Sequence, residues 1–158
     1  MPAAERLPLC RRTALLWLAA LASATAAAAT PFTQAPQPLR PPQPRPSEAS
    51  GAADYRLDAA RHLYDAYPAL VLKGKVRANV YAVMVTETEV DARGKVLSVR
   101  VLRKPAEAHE VTPWVVTLIR RASPLPPPLR MKRVRYVETW LVDRSGQFQV
   151  RTLTEGQL

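Results

Sequence analysis

A seven-residue turn pattern occurs twice in this chain. Val90-Asp91-Ala92-Arg93-Gly94-Lys95-Val96 returns as Val142-Asp143-Arg144-Ser145-Gly146-Gln147-Phe148. In each copy an Asp opens the turn, and a Gly stands at the position that needs positive φ. Each copy then runs into an apolar alternation ending in Val-Arg-x-Leu: Val99-Arg100-Val101-Leu102, and Val150-Arg151-Thr152-Leu153. Two antiparallel hairpins are therefore expected. Between them lies one amphipathic segment, stopped by Ser123-Pro124-Leu125-Pro126-Pro127-Pro128, where proline forbids a helix to continue.

The remaining elements follow from periodicity. From Lys75 onward Val76, Ala78, Val80, Ala82 and Met84 share one side of a strand, with Arg77, Asn79, Tyr81, Val83 and Val85 on the other. Residues 95–103 return as its partner, with Leu97, Val99 and Val101 on one face. In a third strand Val134, Tyr136, Glu138, Trp140 and Val142 alternate with Arg135, Val137, Thr139 and Leu141. Residues 148–153 form a fourth beside it. A first helix opens at Asp54 as N-cap and presents Leu57, Ala60, Leu63, Tyr64 and Tyr67 on one face until Pro68. A short helical turn at 69–72 closes at Gly74. Thr112-Pro113 starts a second helix, whose buried stripe is Val115, Leu118, Ile119 and Ala122. The predicted fold class is α+β: a small antiparallel sheet of three to four strands with two helices on one face, built on a ββαβ core.

The first fifty residues read differently. Arg6, Arg11 and Arg12 precede an apolar run over 13–29 that ends in small residues before Thr30-Pro31, the layout of a secretory signal peptide. An uncleaved membrane anchor is the alternative, because the run is near the lower length limit for a span. The small-residue exit favours cleavage. Cys10, the only cysteine, leaves with residues 1–29, so a thiol nucleophile or a cysteine-ligated metal is excluded from the exported domain. Cleavage also removes three Arg and one Glu, taking the net charge from +10 to +8. In an exported chain that balance points to anionic envelope surfaces or acidic segments rather than nucleic acid. Residues 31–46 hold seven prolines with no apolar periodicity, so residues 30–53 are expected to be an extended linker that packs no core. At ~3.1 Å per residue the proline segment 31–46 spans roughly 50 Å. The folded domain is assigned to 54–158.

The ordered set Tyr67-Pro68, Gly74-Lys75-Val76, Val90-Asp91-x-x-Gly94-x-Val96-x-x-Val99 and Arg121-Ala122-Ser123-Pro124-Leu125-Pro126-Pro127-Pro128 resembles the C-terminal domain of TonB/TolA-type energy transducers, over about residues 65–145. The export segment and proline-rich linker match that layout. The resemblance implies a module in the periplasm of a Gram-negative bacterium. Such a module binds an extended segment of an outer-membrane or other envelope protein by sheet-edge pairing. On that reading the docking edge is Val134, Arg135, Tyr136, Val137, Glu138, Thr139 and Trp140. An anionic surface (peptidoglycan or lipopolysaccharide) and a homodimer are the alternative partners. An anchored short transducer, held in the inner membrane and facing the periplasm, is the alternative arrangement.

No catalytic role, cofactor or metal is expected. His62 shares a helix with Asp58 and Asp65, but one His and two Asp on an exposed helix read as a solvated face. His109 falls in the loop before the second helix. Glu87, Glu89 and Asp91 share one face of a strand end near Arg and Lys, which reads as surface charge patterning rather than an acid–base pair. Ser98, Ser123 and Ser145 have no base at motif spacing. Trp114, Trp140 and Tyr136 read as core or sheet-packing aromatics.

Overall fold

A computed structural model describes residues 31–38, 43–76, 80–154 and 156. The apolar run at 13–29, with the choice between cleaved signal and anchor, lies outside them. Among the described residues no helix is long and apolar enough to cross a membrane.

The fold is α+β. Helix α1 (Ala52–Ala66) leads to strands β1 (Ala82–Asp91) and β2 (Val96–Arg103); helix α2 (Val111–Arg121) follows, then β3 (Arg133–Val142) and β4 (Phe148–Val150). The four strands form one antiparallel sheet in the order β2-β1-β3-β4. β1 alternates strictly, with Ala82, Met84, Thr86, Thr88 and Val90 buried, so the period-2 rule sets which side meets the helices. β3 pairs with β1 from Ala82↔Val142 to Asp91↔Arg133 without a break. α1 packs on β3 and α2 on β2. Three main-chain acceptors tie the helices and the proline stop together. Tyr67 Oη donates to Leu118 O at 3.0 Å, His62 Nε2 to Ala122 O at 2.9 Å, and Tyr55 Oη to Pro126 O at 2.7 Å. Trp140, Tyr55, Phe148, Leu63 and Met84 fill the centre, and the buried Trp140 N–H is satisfied by Thr86 Oγ1 at 3.0 Å.

Several expectations are corrected. β2 carries bulges on either side of its paired run, so Val96, Val99 and Val101 oppose the core positions of β1, while Leu97 and Leu102 are exposed. Leu97 therefore does not share a face with Val99 and Val101, because one extra residue reverses the alternation. The helical turn expected over 69–72 does not extend that far: a single turn, closed by Leu70 N–H on Tyr67 O at 2.9 Å, ends at Leu70. Instead Val71 makes a parallel bridge with Phe148, Phe148 N–H donates to Leu70 O at 2.7 Å, and Leu72 N–H to Phe148 O at 2.9 Å. The fourth strand stops at Val150, and Arg151–Leu153 turns as a 3-10 helix. The Val150 N–H donates to Tyr64 Oη at 3.2 Å. α1 starts at Ala52 with Gly51 as cap, leaving Asp54 in its first turn. α2 starts at Val111, which places Pro113 within a first turn that needs no N–H donor.

The proline-rich segment is also not a free spacer. Phe32 and Ala35 are buried in the core cluster. Ser47 bridges to Pro128, with Ser47 N–H on Pro127 O at 2.9 Å and Leu129 N–H on Ser47 O at 3.0 Å. One aromatic among the prolines supplies the apolar surface that the prolines lack.

Candidate functional site: the outer edge of β3

Because main-chain groups alternate along a strand, the side each residue serves can be worked out. Phe148 spends its N–H and C=O on Leu72 and Leu70, away from β3. Gln149 must therefore face β3, opposite Leu141. The outward series on β3 is then Leu141, Thr139, Val137, Arg135 and Arg133, while Val134, Tyr136, Glu138 and Trp140 address β1. β4 covers only Trp140, Leu141 and Val142. The Thr139 N–H is taken by Glu138 Oε1 at 2.9 Å. Beyond it, no strand pairs with Arg133, Arg135 or Val137 on this side among the described residues.

The side chains of these three residues rise on the open face of the sheet. Val137 is 40% exposed. Arg133 reaches Glu89 at 3.1 Å, and Arg135 reaches Glu89 at 3.4 Å and Glu87 at 3.7 Å. From the other flank Arg100 meets Glu87 at 2.9 Å. Partial burial pushes the Glu89 carboxyl up, but Arg135 and Arg133 outweigh it and hold the group below its ordinary value. The acidic pair is thus a neutralised ladder between basic strands, and exposed pairs of this kind contribute little stability.

Of the sequence-predicted edge, Arg135 and Val137 sit on the free side. Thr139 has its donor occupied, and Trp140 lies where β4 pairs through Val150. Val134, Tyr136 and Glu138 turn their side chains into the core. Arg133 joins the edge although the sequence reading began at Val134; its odd position in the same alternation is the signal that finds it. Glu138 is unusual. Burial raises its carboxyl above the ordinary value, against the opposing effects of Thr152, the Thr139 amide and Arg56. Its Oε2 makes no hydrogen bond of good geometry.

His62 is corrected outright. It is buried on α1, and desolvation lowers its pKa below the ordinary value of 6.5, against the Ala122 carbonyl and Asp65. Asp58 instead accepts the Ser47 hydroxyl at 2.6 Å. Among the described residues no group of three His, Cys, Asp or Glu is placed to hold a metal ion. His109 is exposed. Trp114, Trp140 and Tyr136 are all buried.

Compared with known proteins, the chain matches no family model, no curated protein and no solved structure.

Proposed function

We propose that this chain is an exported, TonB C-terminal-like interaction module of the periplasm that captures an extended segment of an envelope protein by adding it as a strand beside β3. The observation that carries this reading is the outward series Arg133, Arg135 and Val137, which no strand pairs among the described residues, next to a strand β4 that ends after three residues. Arg100, Arg133 and Arg135 outnumber Glu87 and Glu89 on this face, and the remaining positive charge favours a segment with acidic residues. At about 1 kcal/mol net per main-chain hydrogen bond, so short an edge supports reversible rather than tight capture. Glu138 defines where the added strand must stop, since its carboxylate already holds the Thr139 amide.

The test titrates the isotope-labelled full chain with extended peptides from outer-membrane receptors. Amide shifts are expected at Arg133, Arg135 and Val137. Val137→Pro removes an outward donor and is expected to abolish binding while the β1–β3 ladder amides stay in place. Binding that moves amides elsewhere and leaves these three unchanged sinks the proposal.

A further inference from the structure

A second peptide-sized feature lies at the other end of the sheet, beside the Ala82↔Val142 pair. Phe32 stacks on Tyr81 with ring centroids 5.7 Å apart and 19° between planes, and meets Trp114 edge-on at 5.4 Å and 85°. Only 7% of Phe32 is exposed. Three residues on, the Arg121 guanidinium donates to the Ala35 carbonyl. Pro31 abuts Gly146, where a side chain would bring its Cβ to 2.9 Å from the Pro31 Cβ. Arg144 lies 4.9 Å from the Tyr81 ring centroid, and the Tyr81 hydroxyl is held by Glu110. The Trp114 indole N–H is buried and has no acceptor among the described residues.

These contacts are those of a bound peptide. An aromatic anchor fills a slot between two rings, a main-chain carbonyl is clamped by a guanidinium, and a proline rests where only glycine gives it room. The rest of residues 31–38 makes little of the core, with Thr33, Gln34 and Gln37 exposed. We infer that the slot of Tyr81, Trp114, Arg121, Arg144 and Gly146 is a binding site for an extended peptide carrying a proline-preceded aromatic residue, and that residues 31–38 are its resident ligand in cis. An external segment of the same chemistry displaces this arm. The slot is independent of the β3 edge, so either proposal can fail alone.

The test uses the full chain. Phe32→Ala empties the aromatic position, and a synthetic peptide with the sequence of residues 31–38 is titrated while the Trp114 indole N–H signal is followed. The Phe32→Ala chain is expected to bind ~10-fold more tightly or better than the parent, where the tethered arm competes at millimolar effective concentration. A peptide with Ala in place of Phe is expected to bind neither. Equal affinity for both chains, or an unmoved Trp114 signal in a folded Phe32→Ala chain, overturns the proposal. Should Phe32→Ala fail to fold, a full-length variant with a protease site at residues 39–42 decides. After cleavage the fragment is expected to wash out on dilution from a domain that stays folded, and to return when peptide is added. A fragment that never leaves, or a domain that unfolds when it does, shows the arm to be ordinary core and overturns the proposal equally.

Discussion

The two hairpin turns are built alike and put to different uses. In the first, Asp91 N–H donates to Lys95 O at 3.0 Å, Gly94 N–H to Asp91 O at 3.0 Å, and Asp91 Oδ1 accepts the Arg93 amide at 2.8 Å. In the second, Asp143 N–H donates to Gln147 O at 2.8 Å, Gly146 N–H to Asp143 O at 3.1 Å, and Asp143 Oδ1 accepts the Ser145 amide at 2.8 Å. The glycine φ angles are +83° and +82°. The surroundings differ. Gly94 lies against the proline stop: its carbonyl accepts the Leu125 amide at 2.7 Å, and a Cβ there would fall 1.9 Å from the Leu125 carbonyl oxygen. At Gly146 the atoms nearest a Cβ belong to Pro31 of the N-terminal arm. After the first turn β2 runs for eight residues; after the second, β4 runs for three. Turn chemistry thus decides that the chain reverses, and the neighbours decide how far the returning strand goes.

The largest expected effect is at the first turn. Gly94→Ala adds a main-chain clash with the proline stop to the left-handed backbone penalty, and is expected to destabilise the domain by about 3 kcal/mol or more in urea unfolding. Gly146→Ala meets the same backbone penalty with only the arm to displace, and is expected to cost about 1–2 kcal/mol. Equal losses at the two sites would show that the Leu125 contact is incidental.

The two regions are also expected to respond oppositely to pH. His62 anchors α1 to Ala122, just before the proline stop, and its folded pKa lies below 6.5 because burial disfavours the charged ring. The unfolded chain then binds the proton first. Stability is full above pH 6.5 and falls as pH drops below it; His62→Gln, which keeps a donor for Ala122 O, is expected to flatten that slope. Glu138, on the β4 side, has its carboxyl raised by burial. Here the folded state holds the proton longer, so stability falls as pH rises from the unfolded value of 4.5 through the folded one. Glu138→Gln is expected to remove that slope and to raise stability at pH 7 by about 1 kcal/mol, the smallest of these effects. Urea midpoints measured across pH 4–8 check both.

Much of the fold was legible because it rests on short-range chemistry. The Asp-x-x-Gly turns, the alternation of β1 from Ala82 on and of β3 as far as Thr139, and the proline stop each act within a few residues, where hydrogen bonds and steric limits leave few options. The candidate edge was half legible. Val137 and Arg135 could be placed on a strand, but which side of it stays free depends on where β4 stops. That strand ends where Arg151–Leu153 turns as a 3-10 helix against α1 and β3, contacts made far along the chain. His62 could not be read as buried from its helix alone, because the Ala122 carbonyl that receives it arrives from the other helix.

By itself, then, the sequence determined two reversals, two helices and an α+β class, since local backbone geometry is dictated by residues that are neighbours in the chain. Only the tertiary structure decided that the second hairpin ends early, that β3 keeps an open edge at Arg133, Arg135 and Val137 among the described residues, and that Phe32 folds back onto Tyr81 and Trp114. Those outcomes depend on which surfaces meet, and burial of a ring or coverage of an edge is a property of both partners.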